Sequence, residues 1–271
     1  MYKSISQWAF PAEMSIEEMM QTAKDLGYDA FEPAVMLDGP LSPQSSDRDF
    51  MAVKEAAQRI GIRLAALASN ISWRVSPTAN DPMVREQAYL YAVRQLQAAQ
   101  ILGVGAILFV PGLVGAEGDG IVDYADAWQR AVDMLRRLEP VARECGVVIG
   151  VENVWNNLIL SPKDMLAMLD EVNSPWVQCY LDVGNVIRTG WAQSWVKMLA
   201  GRIVRVHVKD YDRANGTING FCPMLTGDVD YPAVMAELRR AGYDLDLTAE
   251  VASGMDSIRH TIAALDKIVA M

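Results

Sequence analysis

The amino-acid sequence predicts a single α/β domain, residues 1–271, folded as a (β/α)8 TIM barrel. Short β-branched apolar runs alternate with longer segments of helical periodicity from one end of the chain to the other. This unit repeats eight times in 271 residues, close to the ~250 residues that are typical of such a barrel. No linker rich in proline, glycine or serine divides the chain, so one domain is expected.

Eight segments have the composition of buried strands, being rich in valine, isoleucine and aromatic residues. In chain order they are Tyr2–Trp8, Ala30–Ala34, Arg63–Ala68, Ala106–Val110, Val147–Glu152, Val177–Asp182, Ile203–Lys209 and Asp246–Glu250. The seventh segment alternates strictly, which places Arg205, His207 and Lys209 on one face and valines on the other. We expect the valines to face the surrounding helices and the basic face to point into the barrel.

A helix is predicted after each strand. The candidates are Ser15–Leu26, Arg48–Ile60, Pro82–Leu102, Ala125–Cys145, Pro162–Glu171, Ala192–Leu199, Tyr231–Ala241 and Ser253–Val269. Asp81 and Ser161 each precede a proline, the arrangement of a capping residue before the first helical turn. Gly103 and Gly146 follow the ends of two helices, where glycine tolerates the left-handed conformation.

A doubly wound open sheet uses the same alternation of strands and helices, so it is the competing fold. Such sheets commonly bind nucleotides through a glycine-rich loop after an early strand. Neither a G-x-G-x-x-G loop nor a Walker-type loop follows any early strand here. The sequence therefore favours the barrel.

Composition and charge exclude several classes of function. The chain has no apolar run of ~18 residues, so a membrane partner is not expected, and its N-terminus lacks the apolar core of a secretory signal. Its three cysteines are widely spaced and odd in number, which favours a reducing, cytoplasmic location. The net charge is −10 with scattered basic residues, so we expect no nucleic-acid partner.

Four successive predicted strands carry a metal-ligating residue at their carboxyl ends, the end at which barrels place their chemistry. These residues are Glu152, Asp182, His207 and Glu250. Any one alone would be interpreted as a helix cap, a solvated loop residue or a packed histidine. Four equivalent positions in a row indicate a site, because close carboxylates repel one another unless a cation compensates. Three carboxylates and one imidazole suit Mn²⁺, Mg²⁺, Co²⁺ or Zn²⁺.

The segments GVENVW, YLDVGN, RVHVKD and LTAEV, in this order and spacing, resemble the xylose isomerase-like barrel superfamily of sugar isomerases and epimerases. Within it the chain is most similar to ketose 3-epimerases that act on free or phosphorylated sugars. The resemblance covers nearly the whole chain and is strongest from Gly146 to Val251. It implies a divalent metal, Mn²⁺ in our prediction, held by Glu152, Asp182, His207 and Glu250. It also implies that the two glutamates form the acid/base pair and that Arg213, six residues after the histidine, contacts substrate oxygens.

Two positions depart from the tagatose- and psicose-type epimerases. Those enzymes carry a glutamate where this chain has Leu158, and a histidine where it has Asn185. The pentulose-phosphate epimerases of the ascorbate pathway share the Asp-Val-Gly-Asn segment and resemble this chain better there. The substrate, and whether it is phosphorylated, stays open.

The resemblance implies 3-epimerisation of a ketose. A metal would stabilise the enediolate, while one of Glu152 and Glu250 removes a proton and the other returns one to the opposite face. The same residues could serve an inosose-type dehydratase of a cyclic polyol or keto acid, or a hydroxypyruvate-type isomerase. A barrel that binds without catalysis is a further alternative. An endonuclease of the superfamily is disfavoured, because it needs several histidines and basic loops, and this chain has two histidines and a net charge of −10.

Other polar and aromatic side chains near the predicted strand ends are candidates for contacting a sugar or sugar phosphate. Trp8 and Glu32 close the first two strands, Phe109 closes the fourth, and Trp155 follows the fifth. Lys209 either contacts substrate or pairs with an acid such as Asp210. Phosphate could be clamped by Arg188 or Arg213, whereas Arg205 lies deeper and is expected to form a structural ion pair. Asn185 completes the substrate-binding set, and a homodimer or homotetramer is left open.

Overall fold

The computed structural model describes residues 1–114, 120–254 and 257–271. Within these ranges the strands are β1 (Tyr2–Ser6), β2 (Ala30–Glu32), β3 (Ala34–Val35), β4 (Arg63–Leu64), β5 (Ala68–Ser69), β6 (Ala106–Phe109), β7 (Val148–Glu152), β8 (Val177–Asp182), β9 (Ile203–Val208), β10 (Asp210–Tyr211), β11 (Phe221–Cys222) and β12 (Asp246–Ala249). The helices are α1 (Ile16–Asp25), α2 (Asp47–Ile60), α3 (Pro82–Leu102), α4 (Tyr124–Cys145), α5 (Pro162–Val172), α6 (Val183–Val186), α7 (Ala192–Met198), α8 (Tyr231–Arg240) and α9 (Ile258–Ala270).

Eight of these strands form one sheet in the order β4-β2-β1-β12-β9-β8-β7-β6. The pairs β1–β12, β1–β2, β12–β9, β2–β4, β6–β7 and β7–β8 are all parallel. The strands β3 and β5 form a separate parallel pair, and β10 and β11 form an antiparallel one. Parallel pairing brings the carboxyl ends of neighbouring strands to the same edge of the sheet, where a barrel carries its chemistry.

The chain consists of two compact units, each with its own buried apolar residues. The first unit contains Met1–Pro33, Val53–Ala65 and Leu181–Met271, and the second contains Ala34–Ala52 and Ala66–Tyr180. In the first unit Ile5, Phe31 and Leu247 of three neighbouring strands are fully buried. In the second unit Ile107 and Ile149 of β6 and β7 are equally buried, with Leu96 of α3 and Leu135 of α4.

The predicted helix signals are confirmed. Asp81 accepts a hydrogen bond from the backbone N–H of Met83 at the start of α3, and Ser161 accepts one from Asp164 at the start of α5. Gly103 and Gly146 follow α3 and α4 with φ of 79° and 67°, which is the left-handed conformation. Among the described residues no helix has both the length and the apolar character needed to cross a bilayer.

Four predicted elements differ from the observed ones by more than one residue at an end. The predicted second strand, Ala30–Ala34, is interrupted at Pro33 between β2 and β3. The predicted third strand consists of two short pieces, β4 and β5. The first strand stops at Ser6, because a short 3-10 turn occupies Gln7–Ala9. The last helix begins at Ile258 with Ser257 as its cap, whereas Ser253, its predicted start, donates its backbone N–H to the carbonyl of Trp8. Residues 255 and 256 of that prediction lie outside the described residues.

Candidate metal centre

Three of the predicted ligands converge in the first unit. Asp182 ends β8, His207 is the penultimate residue of β9, and Glu250 directly follows β12. One ligand atom from each lies within 4.8 Å of those of the others. His207 Nδ1 is 3.4 Å from Glu250 Oε2 and 4.0 Å from Asp182 Oδ2. We refer to Asp182, His207 and Glu250 as the three-residue cluster.

The other nitrogen of His207 contacts an acid outside the three-residue cluster. His207 Nε2 lies 2.8 Å from Oε2 of Glu32, the last residue of β2. Both residues are completely buried. The sequence placed Glu32 at a strand end but gave no sign of this contact. Because Glu32 engages Nε2, the imidazole ring is turned so that Nδ1 faces the other acids.

Lys209 lies against the same acids. Its Nζ is 3.1 Å from Asp182 Oδ2 and 2.5 Å from Glu250 Oε2. Of the two roles left open for this lysine, the structure shows pairing with acids, although these are not Asp210. The ammonium also lies 5.0 Å from the centroid of the Phe221 ring. Close carboxylates repel one another, and the ammonium of Lys209 supplies the compensating positive charge that the sequence predicted for this site.

A glycine permits this approach of Lys209. A Cβ on Gly184, in the short helix α6, would lie 2.5 Å from Lys209 Cγ and 2.8 Å from its carbonyl oxygen. The glycine of the Asp-Val-Gly-Asn segment is therefore explained by packing, since a larger residue would displace the lysine. The backbone N–H of Asn185 in the same helix donates to Asp182 Oδ1 at 2.7 Å, which fixes that carboxylate.

The two carboxylates of the three-residue cluster have opposite pKa shifts. Burial raises the pKa of Asp182 to about 6, against the opposing charges of Lys209 and His207. Burial also acts to raise the pKa of Glu250, but the positive charges of Lys209 and His207 outweigh it and hold that pKa well below its usual range. Asp182 is fully buried, whereas the Glu250 side chain is 19% exposed. Neighbouring acids with separated pKa values are a common property of functional sites.

Glu152 ends β7, as predicted, and its side chain is buried in the second unit. It pairs with Tyr180 of the neighbouring strand β8. Tyr180 precedes Asp182 by two residues on that strand. The strand end that the sequence assigned to Glu152 is therefore confirmed.

A pocket of about 180 Å³ adjoins Glu250 and Lys209. Trp8, a predicted substrate contact, lines it together with Phe221, Val251 and Ala252. Phe221 escaped the sequence prediction because it belongs to β11, a two-residue strand with no detectable periodicity. Two aromatic walls beside a carboxylate and an ammonium suit a small polar ligand with an apolar face.

The remaining predicted contacts are placed as follows. The guanidinium of Arg213 lies 4.5 Å from the centroid of the Trp191 ring, and the residue is exposed, as is Arg188. Trp155 is half-buried, and Phe109 is buried at the end of β6. Arg205 was expected to form a structural ion pair, whereas its described contacts are hydrogen bonds that it donates to the carbonyl oxygens of Ala65 and Val204.

The family model of the xylose isomerase-like TIM barrel matches residues 20–268. The chain belongs to this family. The match confirms both the predicted fold class and the resemblance found in the four motifs. It also explains the parallel order of the sheet, with site residues at the strand ends.

Proteins similar to this chain in sequence include carbohydrate epimerases. L-ribulose-5-phosphate 3-epimerase UlaE of Escherichia coli (strain K12) is 28% identical over 287 residues, covering 98% of this chain and 96% of the relative. The enzyme of the same name from Salmonella paratyphi C (strain RKS4594) is 28% identical over 88% of this chain and 83% of its own length. These enzymes are isomerases by class.

Solved structures support the fold. D-psicose 3-epimerase of Clostridium cellulolyticum H10, crystallised with D-tagatose, superposes with a TM-score of 0.83 at 18% identity, covering 99% of this chain and 98% of that one. The 3-keto-D-glucoside 4-epimerase YcjR of E. coli superposes with a TM-score of 0.79 at 18% identity, covering 100% of both chains. At this level of identity the likeness shows the shared architecture.

Proposed function

We propose that this protein is a divalent-metal-dependent epimerase that inverts C3 of a ketose or ketose phosphate. The observation that carries the proposal is the three-residue cluster, whose ligand atoms lie within 4.8 Å of one another. The curated relatives, which are L-ribulose-5-phosphate 3-epimerases, supply the substrate class. The nearby pocket of about 180 Å³ provides room for a small sugar.

The donor chemistry fits a divalent cation. Two carboxylate oxygens and one imidazole nitrogen converge, and an ammonium group already lies against both carboxylates. We propose Glu152 as the fourth ligand, because it is a buried carboxylate at the end of β7 and pairs with the strand that carries Asp182. This mixed oxygen and nitrogen set suits Mn²⁺, which we propose as the native ion.

In the proposed reaction Glu152 and Glu250 exchange protons with C3 from opposite faces of the substrate. A bound Mn²⁺ would supply Lewis-acid polarisation of the ketone and fix its orientation. One glutamate takes the proton beside the ketone, and the other returns a proton to the opposite face. Such positioned acid and base groups contribute roughly 10²–10⁴-fold each to a rate.

Residues around the pocket would orient the sugar. Trp8 and Phe221 offer aromatic walls for the apolar face of the ring or chain. Lys209 would donate hydrogen bonds to a substrate oxygen, because it lines the same pocket as Glu250. Arg213, which is stacked on Trp191, is the proposed partner of a phosphate group.

We also propose a cytoplasmic location. The three cysteines Cys145, Cys179 and Cys222 are all free thiols, which is the usual state in a reducing compartment. Fractionation of cells that express the protein tests this point.

The reaction can be tested with Mn²⁺-loaded protein in D₂O. Panels of ketoses and ketose 5-phosphates are incubated, and the products are followed by NMR. Exchange at C3 with formation of the C3 epimer is expected. Loss of water, or exchange confined to C1 and C2, would replace the proposal with a dehydratase or an aldose–ketose isomerase.

A further inference from the structure

His207 is enclosed by acids on both sides of its ring. Nε2 is 2.8 Å from Glu32 Oε2, whereas Nδ1 is 3.4 Å from Glu250 Oε2. Neither His207 nor Glu32 is exposed to solvent. The imidazole therefore lies between Glu32 and the proposed metal ligands.

The hydrogen bond to Glu32 selects one tautomer. An ionised carboxylate only accepts hydrogen bonds, so Nε2 has to carry the proton. When the charged ring loses its other proton to become neutral, Nδ1 is left with its lone pair directed at Asp182 and Glu250, the form that can bind a cation. In the other tautomer, lone pairs would face each other at Glu32 and a proton would point at the ion.

The backbone holds Glu32 in a fixed place. It is the last residue of β2 and pairs with Ser6 of β1 in a parallel ladder, next to the fully buried Phe31. A carboxylate that comes from a strand inside the sheet offers one well-defined acceptor position. Glu32 acts through the imidazole ring, since it contacts the nitrogen opposite the one that faces the cluster.

We propose that Glu32 is the positioning residue of the metal centre. It holds His207 in the Nε2–H tautomer and turns Nδ1 towards the ion. The effect on metal affinity rests on the proposed function, whereas the tautomer of His207 can be measured in the metal-free protein. Carboxylates that hold a ligating histidine in this way typically change metal affinity by ~10–100-fold when they are lost.

The experiment uses protein labelled with ¹⁵N-histidine, at mildly alkaline pH, with and without diamagnetic Mg²⁺. The chain has two histidines, and His260 lies exposed on α9. In the variant His260→Asn the only histidine signals are therefore those of His207. We expect the ¹⁵N shifts of a protonated Nε2 and an unprotonated Nδ1. Glu32→Gln keeps an acceptor of the same size and should keep this tautomer, whereas Glu32→Leu should give a mixture.

Metal affinity is measured on the same proteins by titration calorimetry with Mn²⁺. We expect Glu32→Leu to bind ~10–100-fold more weakly than wild type, and Glu32→Gln to lie between them. A protonated Nδ1 in the wild type would overturn the inference. Unchanged His207 shifts and unchanged affinity in Glu32→Leu would also overturn it. A wild-type protein that binds no Mn²⁺ contradicts the proposed function, while the metal-free spectra still decide the tautomer. If Glu32→Leu fails to fold, the comparison of wild type with Glu32→Gln decides the outcome.

Discussion

Lys209 Nζ lies 2.5 Å from Glu250 Oε2 and 3.1 Å from Asp182 Oδ2. Two of the proposed metal ligands are therefore neutralised by a cation that belongs to the chain itself. A divalent ion that reaches these oxygens has to share them with the ammonium or displace it. In the proposed reaction a displaced lysine would hydrogen-bond a substrate oxygen in the pocket that it lines.

The first prediction concerns the loss of this internal cation. Lys209→Met keeps an apolar stem but leaves Asp182 and Glu250 without their ammonium partner. Removing one member of a buried pair costs about 3–5 kcal/mol, and we expect the lower end because Glu250 is 19% exposed. With about 2–4 °C of Tm per kcal/mol for a chain of this size, metal-free Tm should fall.

Mn²⁺ should raise the Tm of Lys209→Met by more than it raises that of wild type, because the ion replaces the missing charge. Differential scanning calorimetry with and without Mn²⁺ measures both effects. Lys163→Met on the exposed side of α5 is a lysine control. A metal-free Tm equal to wild type would contradict the counterion role.

The second prediction concerns Gly184. A Cβ there would come within 2.5 Å of Lys209 Cγ, so Gly184→Ala should push the lysine away from the carboxylates and lower both metal-free Tm and turnover. Gly190→Ala is the matched control, since its Cβ would meet Val186 Cγ1 at an ordinary 3.5 Å. Equal behaviour of the two variants in calorimetry and activity would show that the close approach has no functional consequence.

The third prediction concerns pH. The pKa of Asp182 in the metal-free protein is raised to about 6 from 3.8, so the stability that the protonated form contributes is present below the unfolded value and is lost as pH rises through about 6. Mn²⁺ has to displace this proton, so the contribution of Asp182 to the pH dependence of Mn²⁺ affinity should increase the affinity up to about pH 6 and then level off. Glu250 does not add to this dependence, because its pKa is well below the usual range. Titration calorimetry with Mn²⁺ below and around pH 6 measures this dependence. An Mn²⁺ affinity that does not change with pH would contradict the raised pKa of Asp182.

The fourth prediction separates metal binding from proton transfer. Glu152→Gln and Glu250→Gln should each lower turnover by roughly 10²–10⁴-fold, with metal content measured on the same samples by elemental analysis. Glu144→Gln at the exposed end of α4 is the control. Full turnover by Glu250→Gln with its metal retained would show that Glu250 is not part of the acid/base pair.

The positions of the proposed ligands could be predicted because each one lies in or at the end of a strand whose sequence pattern is clear. Asp182 and Glu152 close apolar runs whose bounds the structure reproduces at their carboxyl ends, and His207 belongs to a strictly alternating segment. Strand periodicity determines on which face of the sheet each side chain lies. The end of the apolar segment determines which side chains lie at the carboxyl end of the strand.

The contacts that shape the site could not be predicted in the same way. Glu32 and His207 lie on β2 and β9, which β1 and β12 separate in the sheet. A side-chain contact between strands that are not neighbours leaves no periodic trace in the sequence. The approach of Lys209 to Gly184 also depends on tertiary packing, and the wall formed by Phe221 comes from a hairpin of two-residue strands.

Hydrogen exchange at C3 of L-ribulose 5-phosphate in D₂O, followed by NMR, tests metal-dependent 3-epimerisation directly. The wild-type protein is stripped of metal with a chelator and then restored with Mn²⁺. We expect no exchange by the stripped protein, and deuterium at C3 together with the C3 epimer after Mn²⁺ is restored. Exchange that is unaffected by stripping would contradict a metal-dependent reaction. Its absence from C3 of every ketose phosphate and ketose tested would contradict 3-epimerisation.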